Sequence, residues 1–139
     1  MADTLINLFH GVGRPMELVR VPTPVVGPGH ALVRVTLATI CGSDLHTVSG
    51  RREAPTPCVL GHEGVGVVVD PSDCRDANGR MLEQGDRVTW SLMATCGQCA
   101  YCGPRGLPQK CDELSKYGHA RYEDARDLNG CFADHILLK

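Results

Sequence analysis

The chain has 139 residues and a formal net charge of −2, from 14 Lys and Arg against 16 Asp and Glu. The length fits one domain, and an apolar share of 42% supplies one core. The near balance of charge and an aromatic content of only 4% exclude a basic nucleic-acid footprint, a polybasic membrane patch and a base-stacking platform. No apolar run approaches the ~20 residues of a membrane-spanning helix. The stretch Met1 to His10 has neither a basic n-region nor an apolar h-region, so no signal peptide is expected.

Along the chain, turn residues break up short alternating runs. His10-Gly11-Val12-Gly13-Arg14-Pro15-Met16 holds a Gly-x-Gly but lacks the third glycine and the strand–helix–strand context of a dinucleotide site. It reads as a turn between two early strands. Within Ala31 to Ile40, Val33, Val35 and Leu37 form one apolar face of a predicted strand. Ser43 and Asp44 open a short helix after Cys41. Val65 to Val69, interrupted only by Gly66, suits a buried strand. Asp70 to Gly85 is polar, carries Asn78-Gly79 and reads as a long loop or hairpin insert. Val88, Trp90 and Leu92 form another alternating face. Pro108 occupies the first position of a short helix through Leu114. Phe132, Ile136 and Leu138 face one way near the end. The predicted class is mostly β, a small barrel or sandwich, with no repeat and no interdomain linker.

Eight cysteines, about 6% of the chain, fall below the density of a secreted disulfide scaffold. Four of them, Cys96, Cys99, Cys102 and Cys111, lie within sixteen positions. That is the ligand count of a closed tetrahedral zinc site, and Gly97 and Gly103 let the backbone wrap tightly. An iron–sulfur cluster is the alternative, although the spacing matches neither common ferredoxin pattern. Cys58, Cys74 and Cys131 read as free thiols, with Cys74 exposed in the polar loop. Thiolates reserved for metal imply a reducing, cytoplasmic setting. His10, His30 and His135 read as ordinary surface or strand histidines. His119 falls near the four-cysteine lobe, whose thiolates already complete a zinc shell.

A second constellation pairs Cys41-Gly42-Ser43-Asp44-Leu45-His46 with Gly61-His62-Glu63-Gly64-Val65-Gly66. With Gly29-His30-Ala31-Leu32-Val33-Arg34-Val35, Gly85-Asp86-Arg87-Val88 and the cysteine lobe, these motifs resemble the catalytic domain of the zinc-dependent medium-chain dehydrogenases. That group includes the alcohol, threonine and sorbitol dehydrogenases. Arg105 to Cys111 with Lys116-Tyr117-Gly118-His119 resembles the branch associated with phosphonate catabolism. The last cysteine spacing departs from the family, with eight intervening residues where seven are usual.

The resemblance implies a GroES-like β-barrel with short helices and a zinc-binding lobe, spanning residues 1–139 as one domain. It implies structural zinc at Cys96, Cys99, Cys102 and Cys111, and catalytic zinc at Cys41 and His62, with Glu63 as the near-zinc carboxylate. Ser43 matches the hydroxyl that meets the substrate, His46 the far end of a proton relay, and Asp44 a carboxylate that orients His62. The activity implied is interconversion of an alcohol with an aldehyde or ketone, using NAD(P), on a small-molecule substrate, in an enzyme that forms homo-oligomers. The family's third catalytic ligand and its nucleotide domain lie beyond the position of Lys139. The chain by itself is therefore expected to hold the second zinc poorly and to be inactive. A carboxylate from Glu63 or Asp44 is expected to reach the metal only with rearrangement. An edge left unpaired at Phe132, Ile136, Leu137 and Leu138 is expected to expose an apolar patch. A zinc-stabilised interaction module without chemistry is the competing reading. A zinc-ribbon nucleic-acid binder is disfavoured, because the basic and acidic residues around the lobe nearly cancel.

Overall fold

The computed structural model describes residues 3–139. β1 (Asp3–Phe9) and β2 (Glu17–Pro22) form an antiparallel hairpin, joined through glycines at positive φ, Gly11 and Gly13. The Gly-x-Gly is thus a turn, as its sequence context indicated. β4 (Cys58–Val59) pairs with the other edge of β1. A second sheet carries β6 (Arg87–Thr89), β5 (Glu63–Asp70), β3 (Ala31–Thr39) and β9 (His135–Leu138), in that order. β7 (Met93–Ala94) and β8 (Ser115–Lys116) form a third, minimal pair. Among the described residues the architecture is mostly β with one α-helix, as predicted. The ladders do not close into one continuous barrel sheet. The first two are stitched together where Asn7 N–H donates to Phe132 O and Val35 N–H donates to Asp134 O.

The core lies between these sheets. Val33, Val68, Ile136, Leu138, Ala94, Tyr117 and Cys131 form its larger cluster. Ile6, Leu8, Val59 and Leu128 form a second, and Phe9, Cys58 and Leu60 a third. Phe132 packs against both the first and the third.

The predicted apolar edge at the end of the chain is overturned. β9 pairs with β3 from Ala31↔Leu138 to Arg34↔His135, and Ile136 is fully buried. Leu138 is buried too, while Phe132 and Leu137 are half-buried. Pairing with a strand far away in sequence closes this edge, which local pattern does not reveal. The apolar surface lies elsewhere, in a groove of about 600 Å³ whose lining includes Leu5, Met16, Leu18, Ile40, Leu45, Val48 and Phe132.

Local register explains the other departures. A register shift between Val35 and Leu37 rotates the strand, so Val33 is buried while Leu37 is 57% exposed. In β5 only Gly66 and Val68 are buried, and the other valines of the run are half-covered. Val88 and Trp90 pack on the core, but Leu92 sits at its rim. The helix predicted from Pro108 to Leu114 is a single 3-10 turn, Pro108–Lys110, ended by the extended backbone of Cys111. The insert at Asp70 to Gly85 is hairpin-like, with a bridge between Arg75 and Met81 and the Asp76 carboxylate capping Asn78 and Arg80. Cys74 is half-buried rather than exposed, and burial raises its thiol pKa. Cys58 and Cys131 are buried thiols pushed up to about 11 by desolvation.

Candidate metal centres

The four-cysteine lobe is an excursion from the neck made by β7 and β8, where Met93 pairs with Lys116 and Ala94 with Ser115. Gly97 turns the chain at φ +71°, and Gly103 packs close to the carbonyls of Cys99 and Gly97. The sulfurs gather at 3.6 Å (Cys96–Cys102), 3.3 Å (Cys99–Cys102) and 3.6 Å (Cys111–Cys96). Tetrahedral zinc with Zn–S near 2.3 Å sets sulfurs about 3.8 Å apart, so the cluster fits that ion with a slight opening. Backbone N–H groups of Cys96, Cys99 and Cys102 donate to Cys111, Cys96 and Cys99 sulfurs. Such bonds favour thiolate, and they hold Cys99 down at about 6. Desolvation first, then hydrogen bonding to the sulfurs of Cys99, Cys96 and Cys111, pushes the Cys102 thiol the opposite way.

The second centre is built by α1 (Gly42–Val48) and the start of β5. Asp44, buried in the first turn of α1, accepts from Cys41 N–H at 2.9 Å through Oδ2. That bond fixes Cys41 at the helix entrance. The other oxygen, Oδ1, faces His62 Nδ1 at 3.6 Å, longer than a hydrogen bond, and neither atom has another partner. His62 Nε2 is 3.5 Å from Ser43 Oγ. Thr39 donates to the Glu63 carboxylate at 2.8 Å. Ligand atoms of Cys41, His62 and Glu63 all lie within 4.8 Å of one another. This is a sulfur, nitrogen and oxygen donor set of the kind zinc takes, with the Glu63 carboxylate beside Cys41 and His62. Asp44 does not reach it, being committed to Cys41.

These residues border a cavity of about 510 Å³, which also carries Ser43, Arg52, Trp90, Lys116 and His119. The larger apolar groove touches this chemistry only through Asp44. Of the sequence-predicted site residues, His46 is not brought to the cavity and stands exposed on α1.

His119 belongs to this second centre rather than to the cysteine lobe. Its ring lies 4.9 Å from that of His62, and its Nε2 is 3.4 Å from Arg52 Nη1. Backbone contact sets this approach. Cys131 N–H donates to Gly61 O, Phe132 N–H donates to Leu60 O, and Gly118 packs directly on the Gly61 backbone. Burial first, then the charge of Arg52, push His119 down to about 4, so it is neutral at pH 7. Arg52, Lys116 and His119 were not singled out as site residues from sequence. The Lys116-Tyr117-Gly118-His119 run was visible, but its placement depends on long-range pairing. The other histidines take the ordinary roles expected, His10 on Glu17, His30 on the Pro28 carbonyl and His135 on Thr4.

Residues 27–139 match the alcohol dehydrogenase GroES-like domain. The chain is 43% identical over 127 residues to 5-exo-hydroxycamphor dehydrogenase of Pseudomonas putida, covering 88% of this chain and 34% of that protein. An alcohol dehydrogenase structure from Thermotoga maritima superposes with a TM-score of 0.87 at 32% identity, over 100% of this chain and 39% of that one. A zinc-binding dehydrogenase from Sinorhizobium meliloti, solved with NADP bound, superposes with a TM-score of 0.76 at 28% identity, over 99% and 36%. The chain spans about a third of the length of the curated relatives it matches. No helix among the described residues is long and apolar enough to cross a membrane.

Proposed function

Because the chain belongs to the alcohol dehydrogenase GroES-like domain family, we propose that residues 1–139 form the catalytic domain of a zinc-dependent, NAD(P)-linked oxidoreductase. The reaction is interconversion of a small-molecule alcohol with an aldehyde or ketone. One observation carries this reading: Cys41, His62 and Glu63 converge at an open cavity, apart from a four-thiolate lobe. A closed four-ligand shell suits structure, whereas three donors beside a cavity leave room for a substrate.

Cys41 and His62 would hold the metal, and Glu63, anchored by Thr39, would complete the donor set. Zinc bound there supplies Lewis acidity that favours deprotonation of an alcohol. Ser43 stands at the cavity wall beside His62, where its Oγ would accept the hydroxyl proton as its own proton passes to water in the open cavity. Asp44 orients the imidazole of His62 from behind. His46, exposed on α1 and outside the cavity, takes no part in this transfer. The hydride acceptor is a nicotinamide nucleotide, in line with the Sinorhizobium neighbour that binds NADP. Eight cysteines, none of them in a disulfide among the described residues, favour a cytoplasmic, reducing setting. Self-association is assigned to the apolar groove beside Met16 and Leu18.

The test is NAD(P)+ reduction by a panel of primary and secondary alcohols, in a polypeptide that joins this domain to a nicotinamide-nucleotide domain. Turnover is expected, and Cys41→Ser is expected to lower kcat by at least about a hundredfold, since it removes a metal ligand. Turnover that survives Cys41→Ser contradicts the reading. Absence of turnover with any alcohol favours a zinc-stabilised interaction module.

A further inference from the structure

The cavity at the second centre carries more positive charge than a neutral alcohol requires. Arg52 and Lys116 both border it, and neither has a carboxylate within ion-pair distance among the described residues. Arg52 is half-buried, where an uncompensated guanidinium is costly. A guanidinium only donates, so His119 Nε2 is the acceptor in their 3.4 Å contact, and the ring proton sits on Nδ1. The neutral imidazole thus tethers Arg52 without cancelling its charge.

The one carboxylate bordering the cavity, Glu63, is held by Thr39 and stands with Cys41 and His62. A dication held by the Cys41 thiolate and the Glu63 carboxylate is neutralised by them. Two cations then remain without counterions. Trp90 and Leu92 supply an apolar wall on the same cavity. The combination suits a short carbon chain with a hydroxyl at one end and an anionic oxygen group at the other.

We propose that Arg52 and Lys116 are specificity-determining residues that select an alcohol bearing a phosphate-like or carboxylate group. The inference rests on the metal-centre reading above. A nucleotide phosphate offers the same chemistry, and the experiment separates the two sources.

The zinc-loaded chain is titrated, by calorimetry at low ionic strength, with 3-hydroxypropyl phosphate, with 1-propanol and with AMP. Zinc content is measured on the same samples. The phosphate-bearing alcohol is expected to bind at least about tenfold more tightly than propanol, the factor of one charge-assisted bond. Arg52→Leu and Lys116→Leu should each reduce that preference several-fold, and Arg52→Lys should retain part of it. AMP should bind at least about tenfold more weakly than the phosphate-bearing alcohol, and zinc content should stay at the wild-type value in every variant. Equal binding of the two alcohols overturns the proposal, as does a preference that survives both substitutions. AMP bound as tightly as the phosphate-bearing alcohol, and weakened by Arg52→Leu or Lys116→Leu, assigns the cations to the nucleotide and overturns it equally. A chain that holds only the lobe zinc overturns the metal-centre reading instead, while the phosphate preference is still read directly from the same titrations.

Discussion

Cys99→Ser is expected to strip one zinc from the protein and to loosen residues 96–111. Cys99 lies inside the sulfur cluster, 3.3 Å from Cys102, and accepts the Cys102 N–H, so it contributes both a ligand and a turn contact. The lobe contains no regular element besides the 3-10 turn Pro108–Lys110. Among its cysteines only Cys111 is buried. Little apolar burial therefore holds this segment, and metal must supply most of its order. Closed zinc sites bind with on the order of 10 kcal/mol in small peptides, so losing one of four ligands removes several kcal/mol. The effect should be local, since both larger core clusters are built mainly outside the lobe. Limited proteolysis should cut between Cys96 and Cys111 while the remaining strands persist. A folded, protease-resistant lobe in a zinc-free Cys99→Ser protein would refute the structural role. The neck formed by β7 and β8 also carries Lys116, so loss of the lobe should disturb one wall of the neighbouring cavity.

Gly118→Ala is expected to be nearly as damaging, by a different route. Gly118 has φ +70°, and a Cβ there would press on the backbone N, C and O of Gly61. Backbone cannot swing aside as a flexible side chain does. The left-handed conformation and the overlap together cost roughly 2–5 kcal/mol. Gly61 immediately precedes His62, and Gly118 immediately precedes His119. Separation of the two segments therefore opens the second centre as well as lowering stability. Urea unfolding measures the first effect, and zinc content the second. Gly79→Ala is the control: its φ of +84° is equally unfavourable, but nothing lies within 4 Å of the added methyl. That variant should lose only about 1 kcal/mol and keep both metals. Equal losses in the two variants would show that the close backbone contact at Gly118 has no consequence of its own.

The comparison of these glycines marks what a sequence reveals and what it hides. The four-cysteine lobe was legible because its ligands are local: all fall in one loop, and their spacing alone brings them together. Cys41 and His62 were legible only jointly, through the order of motifs along the chain. The first two early strands, the helix after Cys41 and the polar insert followed from turn chemistry and alternation. The same alternation misjudged Leu37, because a bulge at Val35 changes which side faces the core. The end of the chain was misjudged because β9 finds its partner in β3, about a hundred positions away. Glu63 was identified from its position beside His62, but its readiness to join the donor set depends on Thr39, a contact across strands. Arg52 and His119 were missed for the same reason. They are 67 positions apart and meet only after Gly118 packs on Gly61.

Counting zinc by elemental analysis, in the unmodified chain beside Cys99→Ser and His62→Ala, tests the two-centre arrangement most directly. Two zinc ions per chain are expected in the first, and one in each variant, with the double variant holding none. The lobe should retain its metal when His62 is replaced, because no lobe cysteine lies in the Cys41, His62 and Glu63 group. A single zinc in the unmodified chain, unchanged by His62→Ala, would contradict a second metal centre at Cys41, His62 and Glu63.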